Sequence, residues 1–128
     1  MERRRLPPAA KEAKASLKPA RGEVWLAELD PVRGHEQAGS RPVLVLSVDP
    51  FNSGPAELVI VLPLTSKDRG VSSHVPVQPP EGGLKARSVI LCEAIRSISR
   101  DRLEKRWGTV APGTLALVED RIRILLGL

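Results

Sequence analysis

Apolar residues in this chain arrive in short, β-branched bursts, and proline or glycine recurs between them. Leu58–Leu62 and Val43–Leu46 are typical. Such runs suit strands and fall far short of the roughly 20 apolar residues that a membrane span needs. Twelve prolines and ten glycines in 128 residues argue against a helix bundle, because both residue types interrupt helices. The length suffices for one domain with a single hydrophobic core.

The pattern along the chain predicts five strands. Glu23–Leu29 alternates, with Val24, Leu26 and Ala27 set against Glu23 and Glu28, and Trp25 between. Pro42–Val48 and Glu57–Leu64 are buried strands, His74–Val77 is a short one, and Ser88–Ile95 is a further buried strand containing Cys92. Asp30–Arg41, a polar loop of twelve residues, is longer than a hairpin turn, and such loops often carry function. Asp49–Ala56, Thr65–Ser73 and Pro79–Gly83 are turns or loops, and Ser99–Leu103 is a short helical turn with Ser99 as its cap. Leu115, Val118, Ile122 and Leu125 then follow helical spacing, while Glu119, Asp120, Arg121 and Arg123 take the opposite face. Pro112 suits the first turn of that helix and Gly127 its exit. The expected architecture is mainly β with helices: a small twisted barrel or sheet with a C-terminal amphipathic helix packed on it.

Charge is divided unevenly. Residues 1–21 carry seven Lys/Arg and two acids, and residues 22–128 carry thirteen of each. The whole net charge of +5 therefore sits at the N-terminus. Residues 1–20, basic and holding Pro7, Pro8 and Pro19, are expected to be a solvated extension rather than an electrostatic arm for RNA. Residues 21–128 are expected to form the functional domain. The N-terminus has no apolar stretch and no cleavage pattern, so no secretory signal is expected. A single cysteine, Cys92, excludes an internal disulfide and a multi-cysteine zinc site, and fits a cytoplasmic location.

Metal, thiol and nucleotide-cofactor chemistries find no motif. There is no phosphate loop, no GxGxxG and no HExxH, and His35 and His74 have no metal-ligand spacing around them. Cys92 lies among apolar residues, as a core thiol does. What remains is a set of strand ends and loops: His35, Glu36, Gln37 and Arg41 in the first loop, Thr65 and Ser66 after the third strand, and Glu93, Arg96 and Ser97 after the last. In a small antiparallel barrel such ends can converge on one face. Pro42 biases Arg41 to extended backbone, and an aimed guanidinium beside small hydroxyls suits phosphate. An ion pair of Arg41 with Glu36 or Glu93 is the competing explanation. These residue types permit metal-free RNA cleavage. His35 or Glu93 can serve as base, Arg41 and Arg96 can balance charge, and Thr65 can donate to a non-bridging oxygen.

Several ordered motifs carry a resemblance. Arg21-Gly22-Glu23-Val24-Trp25-Leu26 leads through Leu29-Asp30-Pro31 to Gly34-His35-Glu36-Gln37 and Gly39-Ser40-Arg41-Pro42-Val43-Leu44-Val45. Phe51-Asn52, Pro63-Leu64-Thr65-Ser66, Ser73-His74-Val75, Ser88–Glu93 and Ile95-Arg96 follow in order. From about residue 21 to the end the chain closely resembles the MazF/PemK (Kid) family of toxin endoribonucleases. That resemblance implies an SH3-like small β-barrel of the CcdB/PemK type, working as a homodimer. It implies sequence-selective, metal-independent cleavage of single-stranded RNA to 2′,3′-cyclic phosphate and 5′-OH ends. It also implies a cognate antitoxin that lays an acidic segment over the RNA groove. Arg41 carries over as the catalytic arginine, Thr65 as the catalytic hydroxyl, His35 as an assisting histidine and Glu93 as the acidic residue. Glu36, Gln37, Asn52, Ser66, His74 and Arg96 become RNA contacts. No cofactor and no metal is implied. Leu91 and Ala94 depart from the family, standing where one branch has an arginine and most members a glutamine.

Two other readings remain. A CcdB-like, gyrase-binding toxin would place its determinants near Leu125–Leu128, and fold alone cannot separate the two activities. A degenerate, non-catalytic RNA-binding member would rely on base stacking, yet the aromatics are only Trp25, Phe51 and Trp107.

Overall fold

The computed structural model describes residues 18–29 and 39–128. Among the described residues there are seven strands: β1 (Glu23–Glu28), β2 (Ser40–Val45), β3 (Leu58–Thr65), β4 (His74–Val77), β5 (Ser88–Leu91), β6 (Arg96–Ser99) and β7 (Leu103–Thr109). A single helical turn, α1 (Asp49–Asn52), follows β2, and the long helix α2 (Pro112–Leu126) ends the chain. Every pairing is antiparallel; the sheet runs β4-β5-β3-β2-β1-β7, with β6 also on β3. The five expected strands are thus five of seven. β6 was hidden in a four-residue, half-polar stretch, and β7 is an edge strand with Glu104, Lys105 and Arg106 in solvent.

The central strands are apolar at consecutive positions because both of their faces are covered. Leu44, Leu62 and Val24 face one core cluster with Val118 and Ile122 of α2. Their neighbours Val43, Val61 and Trp25 face a second cluster, closed by Ile98 of β6 and Leu103 of β7. Trp25 is therefore core, while Leu26 is only half-buried, the reverse of what the alternation in β1 suggested. On α2, Val118 and Ile122 are buried and Leu115 packs beside them, but Leu125 is 44% exposed and does not complete the expected stripe. Pro112 opens the helix, and Gly127 closes it in the left-handed conformation at φ 72°. Ala111, the cap residue, has no polar side chain. Glu81 caps the helix across space, accepting from the Ala111 N–H at 2.8 Å and the Thr114 hydroxyl at 2.5 Å.

The run expected to be one strand, Ser88–Ile95, is broken. β5 and β6 lie along the same edge of β3, with Leu64 opposite Ile90 and Val61 opposite Arg96. β3 advances three residues (64 to 61) while the facing chain advances six (90 to 96). The three surplus residues, Cys92–Ala94, form a 3-10 turn. Cys92 turns inward and is fully buried, whereas Glu93 turns out. Another 3-10 turn, Arg100–Arg102, occupies the expected helical turn. There the Ser99 hydroxyl donates to the Asp101 carboxylate at 2.6 Å and makes no capping bond to the backbone.

Pro19 is buried and attached to the folded body. Asn52 at the end of α1 makes that attachment. Its amide donates to the carbonyls of Pro19 at 3.1 Å and Ser47 at 2.9 Å, and its oxygen accepts the Ser47 hydroxyl. The Ser47 oxygen in turn accepts the Ile60 N–H at 2.9 Å. Asn52 is 0% exposed, so the expected RNA contact is not available to it, and its work is structural. Asn52→Ala strands two carbonyls and a hydroxyl in the interior and should lower stability by about 2 kcal/mol. A urea midpoint shift at constant m-value will report this.

Candidate active site

Four separate segments deliver polar side chains to one cavity of ≈ 480 Å³. Arg41 comes from β2, where it pairs with Ala27 of β1. Thr65 ends β3, opposite Val89. His74 opens β4, opposite Leu91 at the end of β5. Glu93 is carried in by the 3-10 turn that β5 extrudes. The β4–β5 register is what makes Glu93 and His74 neighbours: pairing His74 with Leu91 leaves Glu93 two residues further on, above the start of β4.

The contacts within the cavity are short. His74 Nε2 lies 2.7 Å from one Glu93 carboxylate oxygen, and the Ser73 hydroxyl donates to the other at 2.6 Å. The His74 side chain is only 7% exposed, and its Nδ1 is buried without a hydrogen-bond partner among the described residues. Partial burial pushes the Glu93 carboxyl up, but the bonds from Ser73 and His74 outweigh it and hold the group below the ordinary glutamate range. Glu93 is therefore ionised at neutral pH. Arg41 is exposed and makes no ion pair among the described residues. The competing ion pair with Glu93 is not made. The Thr65 oxygen accepts the Lys67 N–H at 3.2 Å, which leaves the hydroxyl proton free to donate outward.

Lys67 and Arg69 also line the cavity, with Val71 and Leu91 as its apolar wall. Sequence reasoning passed over both cations, although Lys67-Asp68-Arg69 is a dense charge run directly after Thr65. Ser66 is exposed beside Thr65, and Arg96 opens β6 opposite Val61; neither lines the cavity. His35, Glu36 and Gln37 lie outside the described residues. Cys92 sits beneath the turn as a core thiol: burial, and then the neighbouring Glu93 charge, push it up to about 11. Among the described residues no three His, Cys, Asp or Glu side chains gather as metal ligands.

The lowered Glu93 carboxyl has a consequence for stability. A carboxyl depressed in the fold stabilises it at pH values above the ordinary glutamate range, and that contribution is lost as pH falls through the depressed value. Glu93→Gln should therefore flatten part of the acid limb of the stability–pH curve while leaving the alkaline side unchanged. Urea titrations across the acid range will show whether it does.

The described residues thus form an antiparallel sheet with a C-terminal helix and, at the strand ends, a cavity lined by cations and a hydroxyl. Residues 20–126 match the family described as PemK-like, MazF-like toxin of type II toxin-antitoxin system, and the chain belongs to that family. It is 34% identical over 109 residues to the endoribonuclease MazF of Staphylococcus saprophyticus, covering 84% of this chain and 91% of that protein. Its fold matches the crystal structure of MazF from Deinococcus radiodurans with a TM-score of 0.75 and 31% identity, over 88% of this chain and all (100%) of the other. The match to a MazE-MazF structure from the same organism has a TM-score of 0.76 at 32% identity, over 88% and 99% of the two chains.

Proposed function

We propose that the chain is the toxin of a type II pair and cuts single-stranded RNA, chiefly mRNA, sequence-selectively and without a metal ion. The observation that carries this reading is the shared cavity of Arg41, Thr65, His74 and Glu93. In the reaction the 2′-oxygen attacks the adjacent phosphorus as its proton passes to a base. We assign that role to Glu93, with His35 assisting. The bond to the 5′-oxygen breaks, leaving a 2′,3′-cyclic phosphate on one fragment and, once the leaving oxygen gains a proton, a 5′-OH on the other. Arg41 balances the charge that builds on the non-bridging oxygens, and the Thr65 proton donates to one of them. Glu36, Gln37, Ser66 and Arg96 contact the flanking nucleotides, whereas His74, with Nε2 against Glu93 and Nδ1 buried, is left to position that carboxylate instead of touching RNA as expected. The toxin works as a homodimer in the cytoplasm, with residues 21–128 as its domain and residues 1–20 as an extension. A cognate antitoxin inhibits it by laying an acidic segment over the same cleft; the likeness to the MazE-MazF structure supports this.

Incubation of the purified protein with a long single-stranded RNA, and with the same RNA annealed to its complement, tests the reading. Discrete fragments from the single strand alone are expected. Intact RNA from folded protein would overturn it. The exposed Ile124, Leu126 and Leu128 at the end of α2 would then favour a protein-binding toxin, and gyrase inhibition would be the next assay.

A further inference from the structure

The loop between β3 and β4 holds a local charge arrangement that the cleavage chemistry does not use. Lys67-Asp68-Arg69 would neutralise itself if Asp68 paired with either neighbour. It does not. One Asp68 oxygen accepts the Gly70 N–H at 2.9 Å, and the other takes the Arg87 guanidinium at 3.0 Å, just ahead of β5. Lys67 and Arg69 make no ion pair among the described residues, and both line the cavity that holds Arg41 and Thr65. Asp68 thus turns the loop back on itself, fastens it to the β5 side, and leaves its two neighbours' charges to the cleft. The cavity carries three cations against one carboxylate, Glu93, already engaged by Ser73 and His74. A multiply anionic chain is the ligand that such a cleft fits.

We propose that Lys67 and Arg69 form a phosphate-anchoring subsite for the nucleotides flanking the cut, and that the Asp68–Arg87 clamp holds this subsite in place. The proposal rests on the endoribonuclease reading and adds residues that contact backbone rather than bases. Phosphate contacts fix register and affinity but carry no sequence information. They therefore act equally on every sequence, and each displaces counterions.

Binding of a mixed-sequence oligoribonucleotide methylated at every 2′-oxygen, and so uncleavable, tests the subsite across a salt series. The Lys67→Ala/Arg69→Ala double variant should bind about tenfold or more weakly at low salt, and its log Kd–log salt slope should shrink by about 0.7 per lost contact. The charge-preserving Lys67→Arg/Arg69→Lys variant should keep the wild-type slope. Fragment ends mapped on cleavable RNA should fall at the same positions in all three proteins. Asp68→Ala tests the clamp through its sign. Removing a negative charge beside an anion would tighten binding, whereas losing the clamp should weaken it severalfold. A double-alanine variant with wild-type Kd and slope would overturn the subsite while wild-type protein still cleaves RNA. Tighter binding by Asp68→Ala would overturn the clamp. Wild-type protein that neither binds nor cleaves would bring down the nuclease reading itself.

Discussion

Arg41→Ala should cut RNA about a thousandfold more slowly than wild type, or not at all, while folding normally. Arg41 is exposed on β2 and makes no ion pair among the described residues, so its loss leaves no buried charge or stranded donor. Its guanidinium is offered to the cleft, where pentavalent phosphorus would carry its extra negative charge. Lysine keeps the charge but not the planar fork that can hold two oxygens at once. Arg41→Lys should therefore recover only part of the rate. Single-turnover cleavage beside a thermal melt separates the two effects: the rate falls and the melting temperature stays. A folded Arg41→Ala protein that cleaves like wild type would remove the arginine from the chemistry and the mechanism with it.

The largest stability effect is expected far from the cleft. The 3-10 turn Glu81–Gly83 is pressed against β7. Gly83 has φ 72°, and a Cβ there would sit 2.2 Å from the Trp107 carbonyl oxygen and 2.6 Å from its carbon. The obstacle is backbone in a paired strand, so it cannot swing aside as a side-chain tip would. Gly83→Ala thus combines a left-handed conformation, costing about 1–2 kcal/mol for a residue with a Cβ, with a clash that moves either the turn or the strand. The turn also carries Glu81, which caps α2, so displacing it loosens the helix N-terminus. Together these should lower stability by about 4 kcal/mol. Denaturant melts will show this as a large midpoint shift. A melt within error of wild type would mean that the turn and β7 are free to part.

Much of this fold was legible because burial writes itself as apolar pattern. β2 and β3 are covered on both faces and read as continuous apolar runs, and His74–Val77 was delimited as it stands. The parts that escaped are set by tertiary demands. β6 and β7 gain their places from β3 and β1 rather than from their own sequence, which is short in one case and charged in the other. The break at Cys92–Ala94 arises because one edge of β3 receives six residues where three are needed. Nothing local to Val89–Ile95 announces it, yet it is what turns Glu93 into the cleft. Residue chemistry and family resemblance single out Arg41, Thr65 and Glu93, and the structure brings these three to one cavity. His74 was expected to touch RNA, but its hydrogen bond to Glu93 had no signature in spacing. Asn52 was misjudged because a polar residue in a turn looks like a surface group, and only the structure shows its amide fully occupied.

The central claim is metal-free transesterification on Arg41, and end-group chemistry reads it most directly. Wild-type protein and Arg41→Ala would be incubated with single-stranded RNA in excess EDTA, and the fragment ends identified by mass spectrometry. The mechanism predicts 2′,3′-cyclic phosphate and 5′-OH ends from wild type only. Fragments ending in 5′-phosphate, or cleavage that EDTA abolishes, would contradict it.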